Sequence, residues 1–378
     1  MHTDYFPLGI ARDGAFFGRE AETKRLLNNI TIGKHTLLTA PRRYGKTSLA
    51  KHVIKIAKLP YTEIDLFLIM DDKSIEYKII KGVCSLIQAV SDTPEQWFGA
   101  LRDFFNQANK KWTIGIQGVT LKLTPSNHND IADNILDALN ALEYILQSKK
   151  QKAVLFIDEF QEITKSKVGG SIEGAIRHFA QESKYLSFIF SGSNRNILLG
   201  MFNDQSRPLY ALCDHMVLNR IEPSYYKKYL NEIAKKTWHQ SISAEVFANI
   251  IKLTQIHPHY VYVLCGYIWQ NFPTQEPTPA DVVRLWDTYL DESIKEVRAE
   301  LYKLSPGQLK VLTIICLAKY PEITGKDVQR QTNLTSGTIV YALRILEDMD
   351  YIEKQGAVFR IINPVVYGIL ERFYKEII

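Results

Sequence analysis

The sequence predicts an α/β fold in which a parallel sheet carries a phosphate-binding loop, followed by a helical region and a small helical domain with a terminal hairpin. Three observations lead to this fold class. Gly45-Lys46-Thr47 lies between an apolar strand and an amphipathic helix, and Asp158-Glu159 follows a second apolar strand. Residues 300–378 show three helical patterns and then two short strands. The first two are typical of open parallel sheets that bind ligands at their carboxyl edge, and the third is the winged-helix order.

Length and composition limit the number of domains and the class of protein that we expect. The chain has 378 residues, of which 46% are hydrophobic, so it can form two or three domains with substantial cores. No apolar run approaches the roughly 18 residues of a membrane helix, and the first residues lack the order of a signal peptide, so we expect a cytoplasmic protein. The net charge of +5 is a mild excess that permits a nucleic-acid partner without favouring one.

The cysteines exclude two classes of protein. The four residues lie far apart and form no CxxC pair: Cys84, Cys213, Cys265 and Cys316. Neither a disulfide framework nor a thiolate metal site is therefore indicated.

The loop that ends in Gly45-Lys46-Thr47 matches the pattern GxxxxGK[ST] except at its first position, where Ala40 replaces glycine. Residues 35–40 predict a short buried strand, and residues 47–57 have the helical period. A small residue suffices at the first position if its φ is negative. The predicted nucleotide-binding residues are Pro41, Arg42, Arg43, Tyr44, Gly45, Lys46, Thr47 and Ser48. Arg42 and Arg43 either contact phosphates or face away and pair with acidic side chains.

A second motif supports the first. Residues 153–157 form a wholly apolar strand, and Asp158 and Glu159 stand at its carboxyl end. Asp158 and the Thr47 hydroxyl are candidate ligands for Mg²⁺, Glu159 is the candidate for orienting or deprotonating a water, and Lys46 would neutralise phosphate oxygens. The alternative is that the two acidic residues only cap the next segment.

A third apolar strand, residues 186–190, ends in Ser191-Gly192-Ser193-Asn194. Polar side chains at this position can sense a γ-phosphate or the attacking water, and Ser193 is the candidate. Serine and glycine are also ordinary turn residues, so a plain turn is the alternative.

Residues 112–123 predict a hairpin. Apolar residues alternate on both sides of Gln117-Gly118, which as a two-residue turn would pair 116 with 119, 114 with 121 and 112 with 123. Its apolar face either covers the core of its own domain or contacts a partner. Residues 131–146 then predict an amphipathic helix.

After about residue 216, helical patterns replace strand patterns. We predict an α/β domain over 1–215, a helical lid over 216–295 and a winged helix over 296–378. The aromatic run in residues 257–269 resembles a base-stacking platform, but its helical spacing favours core packing.

The third helix of the predicted winged helix offers four side chains for contacts with DNA: Ser336, Thr338, Tyr341 and Arg344. Residues 300–378 contain ten Lys/Arg and nine Asp/Glu, a net charge of only +1. Because phosphate contacts dominate affinity for DNA, this balance favours a regulatory winged helix that does not bind DNA, with a DNA-binding one as the alternative.

Seven ordered motifs resemble those of the archaeal-type AAA+ ATPases, relatives of the STAND signalling ATPases and of origin-recognition ATPases. The resemblance covers most of the chain and rests on residues 16–22, 40–49, 156–163, 190–202, 206–210, 256–260 and 358–370. It implies a P-loop AAA+ sheet with a helical lid, ATP or ADP with Mg²⁺ as ligands, and a Walker A loop and Walker B strand at the two motifs described above.

The resemblance also implies roles for residues outside these motifs. Phe17, Gly18 and Arg19 would border the adenine, and His257 and Pro258 correspond to a GHP motif in the lid that approaches the nucleotide. Ile256 replaces the glycine of that motif. A turn at the start of a helix is the alternative interpretation of residues 257–259.

AAA+ enzymes usually receive an arginine from a neighbouring subunit. Arg207 is the first candidate for this arginine finger and Arg195 is the second. An exposed surface arginine without this role is the alternative for both.

We therefore expect an ATP-binding and ATP-hydrolysing molecular switch that couples its nucleotide state to the winged helix, with a protein partner or a second copy of itself. Two alternatives stay open: a nucleotide-gated DNA-binding regulator with slow or no hydrolysis, and a scaffold that holds ADP permanently.

Overall fold

The computed structural model describes residues 5–91, 93–110, 112–117, 120–125, 130–317, 322–356 and 358–374. The chain forms two compact units. The sheet unit consists of Arg19–Ala40 and Lys46–Leu218, and the helical unit consists of the described parts of Met1–Gly18, Pro41–Gly45 and Asn219–Ile378.

Parallel strands organise the sheet unit. Its strands are β1 (Thr36–Thr39), β2 (Tyr61–Asp65), β3 (Trp112–Gln117), β4 (Thr120–Pro125), β5 (Ala153–Asp158), β6 (Leu186–Gly192) and β7 (Asp214–Val217). Five of them form one parallel sheet in the order β2-β5-β6-β1-β7. The predicted parallel sheet is confirmed, and β2 and β7 extend it beyond the three strands that the apolar runs predict.

The central strands are covered on both faces. Every residue of β1 and β6 is buried, as are the first five residues of β5, which explains why these strands appear in the sequence as continuous apolar runs. Thr39 pairs with Gly192 and Ile157 with Phe190, so the carboxyl ends of β1, β5 and β6 meet at one edge of the sheet.

Helices pack around this sheet. They are α1 (Glu20–Ile32), α2 (Lys46–Ala57), α3 (Asp72–Ala89), α4 (Pro94–Gln107), α5 (Ile131–Lys149), α6 (Gly169–Glu182) and α7 (Arg195–Asn203), with a 3₁₀ segment at Phe160–Lys165. α1 packs on α2, while α5 packs on both α3 and α6. Helix α2 begins at Lys46, which places the end of the phosphate-binding pattern at a helix N-terminus.

The hairpin β3-β4 has a different register from the one predicted. Ile116 pairs with Leu121, Ile114 with Leu123 and Trp112 with Pro125, so the predicted pairing was wrong by two residues. The two residues between the strands, including the predicted partner at position 119, lie outside the described residues. Because side chains alternate with a period of two, this shift keeps the apolar residues on one face.

The apolar face of the hairpin covers the core of its own unit, as one of the two interpretations predicted. Leu121 and Leu123 are buried in that core, and Trp112 and Ile114 pack against it. Trp112 stacks on Phe105 of α4 with ring centroids 5.2 Å apart.

A network around Asp214 joins α1 to the edge strand β7. Arg25 donates hydrogen bonds of 2.8 and 2.9 Å to the two carboxylate oxygens, and Asn29 donates one of 2.9 Å. Asn29 also donates to the Thr36 hydroxyl at the start of β1. The hydrogen bonds from Arg25 are the main cause that lowers the pKa of Asp214 to about 2.

The helical unit contains α8 (Pro223–Thr237), α9 (Ala244–Leu253), α10 (Pro258–Asn271), α11 (Pro279–Leu301), α12 (Pro306–Leu317), α13 (Lys326–Thr332), α14 (Ser336–Asp348), β8 (Ile352–Gln355), β9 (Val358–Ile361) and α15 (Pro364–Tyr374). This unit has one hydrophobic core, to which residues from Phe6 to Leu370 contribute. Helix α11 continues without a break through residue 295, so the predicted boundary there falls inside a helix.

The aromatic run of α10 is core, as its spacing predicted. Tyr260, Tyr262 and Trp269 are buried, and Trp269 stacks on Trp238 with centroids 4.2 Å apart. α12, α13, α14 and the antiparallel pair β8-β9 follow in the predicted order. Among the described residues, no helix has the length and apolar character needed to cross a membrane.

We predict that Asp214→Asn lowers the free energy of unfolding by about 1–2 kcal/mol at pH 7, because it removes the charge that holds the pKa of Asp214 low, while the exposure of Arg25 weakens the pair. The folded-state pKa lies below the unfolded value, so this stabilisation exists above about pH 4 and disappears as the pH falls toward 2. Denaturant titrations across this range measure it, with Asp133→Asn on the exposed side of α5 as control. A difference that is constant with pH would contradict the prediction.

Candidate functional site

A hydrogen bond links the end of the loop after β1 to the first residue of that loop. Lys46 Nζ donates a hydrogen bond of 2.9 Å to the Ala40 carbonyl, and both residues are buried. Arg43 has φ 64° and Gly45 has φ 91°, a conformation that favours glycine, whereas Ala40 is not among the residues with positive φ. Alanine is therefore sterically acceptable at the first position of the pattern, as the sequence predicted.

The two predicted metal ligands, Thr47 and Asp158, contact each other. The Thr47 hydroxyl donates a hydrogen bond of 3.0 Å to Asp158 Oδ2, and the Glu159 amide donates one of 3.0 Å to Oδ1. Ser191 Oγ also donates to Oδ1. The first turn of α2 and the carboxyl ends of β5 and β6 thus bring these polar groups together.

The oxygen ligands of Thr47 and Asp158 fit Mg²⁺ in character and number. Mg²⁺ is a hard cation that binds oxygen, and it usually takes one or two protein ligands while substrate phosphates and water complete its shell. Within the described parts of the chain, no group of three or more histidine, cysteine or acidic side chains could enclose a metal ion. The arrangement therefore suits a cation that arrives with a phosphate ligand.

Three hydrogen bonds reach the same carboxylate oxygen of Glu159. Its Oε2 accepts hydrogen bonds from Gln161 Nε2 at 2.6 Å, Ser193 Oγ at 2.8 Å and the Ser193 amide at 3.1 Å. Burial alone would raise the pKa of Glu159, but the hydrogen bonds from Gln161 and Ser193 and the charge of Lys46 lower it below its ordinary value. The side chain is therefore an anion at neutral pH, as a general base must be.

The two polar residues that follow β6 make different contacts. Ser193 contacts Glu159, so the candidate phosphate sensor lies beside the candidate base. Asn194 accepts a hydrogen bond of 3.1 Å from the Ile197 amide and caps α7. A turn and a polar site are therefore both present at this strand end.

Within the helical unit, the loop residues Arg43 and Tyr44 contact residues 257–259. Arg43 Nη1 lies 2.7 Å from His259 Nε2, and the Tyr44 ring meets the His257 ring edge-on with centroids 4.9 Å apart. Burial first, and the charge of Arg43 second, lower the pKa of His259 to about 4. His259 is therefore neutral and can accept the hydrogen bond that Arg43 donates.

His257 and Pro258 start α10, with His257 as N-cap and Pro258 as first residue, so the predicted turn at a helix start is present. His257 is 3% exposed, and burial lowers its pKa well below the ordinary value. Ile256 has φ 61°, an unusual conformation for a β-branched residue. The chain therefore keeps the backbone that glycine would adopt at this position.

The predicted adenine neighbours occupy different environments. Phe17 packs on Tyr229 of the helical unit with centroids 4.6 Å apart. Gly18 has φ 67°, and a Cβ there would lie 2.5 Å from Ile221 Cγ2, so both conformation and space require glycine. Arg19 is 5% exposed and donates to Glu22 at 2.9 Å.

Comparison with known proteins identifies the sheet unit. Residues 36–220 match the family model described as ATPase family associated with various cellular activities (AAA). These residues form an AAA ATPase domain. The matched segment contains β1, the phosphate loop and the strands that end in Asp158 and Gly192.

Two solved structures share the fold of the whole chain. A Walker-type ATPase of Pyrococcus abyssi is 18% identical with a TM-score of 0.69, over 98% of this chain and 100% of that one. The ORC2 protein of Aeropyrum pernix, solved as ADPNP-ADP complexes, is 14% identical with a TM-score of 0.61, over 99% and 97%. No curated protein sequence matches this chain.

Two further side chains of the AAA ATPase domain contact the predicted ones. Ser191, which the sequence placed in the polar group after the third strand without choosing it, binds Asp158. Gln161, which sequence reasoning missed, binds Glu159 and lies in a 3₁₀ segment where spacing gives no indication of direction.

Arg207 of the AAA ATPase domain forms an ion pair with Glu173 of α6. Arg207 Nε donates to Glu173 Oε2 at 3.2 Å, and its Nη2 donates to Oε1. Glu173 is fully buried, and this burial raises its pKa even though Arg207 opposes the shift. The candidate arginine finger therefore also balances a buried charge in its own subunit.

We predict that Arg207→Ala lowers the free energy of unfolding by about 2–3 kcal/mol because it leaves the Glu173 carboxylate buried without its cation. The double variant Arg207→Ala/Glu173→Gln should recover most of this loss, since the amide carries no charge. Thermal and denaturant unfolding of the three chains test both statements. Equal instability of the single and double variants would show that the ion pair is not the cause.

Proposed function

We propose that the chain binds ATP with Mg²⁺ and hydrolyses it in the AAA ATPase domain. The observation that carries this proposal is the edge of the sheet where Lys46, Thr47, Asp158 and an ionised Glu159 lie together. A phosphate-binding loop without a nearby base supports binding only. Here the carboxylate is ionised and one of its oxygens is fixed by three hydrogen bonds, which supports a reaction as well.

In this proposal, the loop residues 41–48 surround the phosphates, and the Lys46 ammonium neutralises their charge. Thr47 and Asp158 would hold Mg²⁺, which when bound offsets the negative charge that develops on the phosphate oxygens. Phe17, Gly18 and Arg19 are proposed to border the adenine, and His257 and Pro258 to approach the nucleotide from the lid.

The proposed reaction is attack of water on the γ-phosphorus. Glu159 accepts a proton from the water as the oxygen–phosphorus bond forms, and the bond from the γ-phosphorus to the bridging oxygen breaks. The products are ADP and inorganic phosphate. Ser193 is proposed to hold Glu159 during this step and to sense the γ-phosphate. Arg207, with Arg195 as the second candidate, is proposed to act on a neighbouring subunit.

We further propose that α12, α13, α14 and the pair β8-β9 form a winged helix that conveys the nucleotide state to a protein partner. Exposed apolar side chains support a protein partner over DNA. Val340 and Tyr341 of α14 are 54% and 64% exposed, and Val358 of β9 is 66% exposed. The net charge of +1 over residues 300–378 gives little attraction for phosphates.

Two variants separate binding from hydrolysis. We expect Lys46→Ala to weaken ATP binding at least about 10-fold, because it removes the phosphate counter-charge. Glu159→Gln should bind ATP normally and lose hydrolysis at least about 100-fold, because the amide cannot accept the proton. Isothermal titration and phosphate release measure the two properties, with Glu162→Gln in the same segment as control.

Hydrolysis at the wild-type rate in Glu159→Gln would overturn the proposed role of this carboxylate. Wild-type chain that retains copurified ADP and does not exchange it would instead favour the scaffold alternative.

We also predict that the chain does not shift duplex DNA in a mobility assay at about 50 mM salt and is not retained on heparin under these conditions, because its C-terminal region lacks clustered cations. A shift that weakens steeply as salt rises would contradict this prediction and would favour the DNA-binding regulator.

A further inference from the structure

Gln161 is placed against the candidate base in an unusual way. It is 4% exposed and lies two residues after Glu159, in the 3₁₀ segment that follows β5. Its Nε2 donates the shortest of the three hydrogen bonds that reach Glu159 Oε2, at 2.6 Å. A carboxylate only accepts hydrogen bonds, so the amide nitrogen must be the end that faces it.

The carbonyl end of this amide is unfavourably placed. Gln161 Oε1 is buried and has no hydrogen-bond partner among the described residues. An unpaired buried carbonyl oxygen is unfavourable, and an apolar side chain of similar size would avoid that cost. The carbonyl end therefore does not explain a glutamine here, whereas the hydrogen bond that the amide nitrogen donates to Glu159 does.

The neighbouring strand makes room for the amide. A Cβ atom on Gly192 would collide with Gln161 Oε1, and it would lie 3.0 Å from the side-chain carbonyl carbon. Glycine at the end of β6 thus leaves room for the Gln161 amide in this position, directly before Ser193, which supplies the other two hydrogen bonds to Glu159.

We infer that Gln161 is a positioning residue for ATP hydrolysis, which together with Ser193 fixes Glu159 Oε2 so that Oε1 is left to accept the proton of the attacking water. All three donors reach the same oxygen. The inference rests on the proposed function and adds to it the residue that orients the base.

The inference predicts a defined change in Gln161→Leu. Loss of one donor lets the Glu159 carboxylate rotate, so kcat falls between about 10- and 100-fold while KM stays within about twofold.

Gln161→Glu tests the same contact with an isosteric side chain. An ionised carboxylate cannot donate to Glu159 Oε2, so kcat should fall as in Gln161→Leu while KM stays within about twofold.

Asn134 provides a matched control. It is also a buried amide that donates at 2.6 Å to a carboxylate, that of Glu76, and its Oδ1 is likewise buried without a partner among the described residues. Asn134→Leu should change stability to a similar degree as Gln161→Leu and leave kcat unaltered.

The full chain and its variants are compared by kcat, KM and the Kd for ATP. Reduced kcat in Gln161→Leu and Gln161→Glu, with KM and Kd within about twofold of wild type and kcat unchanged in Asn134→Leu, supports the inference. An unchanged kcat in Gln161→Leu would overturn it, and so would a faster kcat, which would mean that Gln161 restrains the base.

A different result would overturn the proposed function. If wild type hydrolyses no more ATP than Glu159→Gln, hydrolysis at this site is excluded and the inference fails with it. A wild type that hydrolyses ATP, beside a Gln161→Leu chain with the same kcat, overturns the inference alone.

Discussion

The structure depends on the parallel register of β1, β5 and β6, which ends three buried strands at one edge of the sheet. Thr39 pairs with Gly192, and Ile157 with Phe190, so the phosphate loop, Asp158-Glu159 and Ser193 all follow directly from strands that are fixed by burial. A slip in any of these strands would separate groups that must lie within hydrogen-bond distance. The apolar interior of the sheet is therefore what holds the polar site together.

In this domain, the neighbours of each acidic side chain set the direction in which its pKa is shifted. The arginine and asparagine that surround Asp214, and the glutamine and serine that surround Glu159, lower the pKa of each carboxylate, so both stay ionised at neutral pH. Glu173 has the partly exposed Arg207 as its cation, and burial raises its pKa. A carboxylate thus contributes to stability in one place and, in the proposed reaction, accepts a proton in another, according to its neighbours.

The sequence predicted the sheet and the main polar residues because their signals are local. Lys46, Thr47, Asp158 and Glu159 each stand beside an apolar strand or helix whose period is visible in the chain. Gln161 could not be predicted, since its contact depends on the course of a 3₁₀ segment and on the space that Gly192 leaves. The register of β3-β4 was wrong because both registers put the apolar residues on one face, so burial does not distinguish them. The edge strands β2 and β7 were missed because each is short and only partly buried.

We propose that Glu159 promotes attack of water on bound ATP at this edge of the sheet. Hydrolysis in ¹⁸O-labelled water, with mass analysis of the phosphate released in a single turnover, tests this role. We expect phosphate that carries one ¹⁸O atom in the wild type, and ATP that stays bound and intact in Glu159→Gln. Bound ATP that remains uncleaved in the wild type, or phosphate released equally fast from both chains, would contradict it.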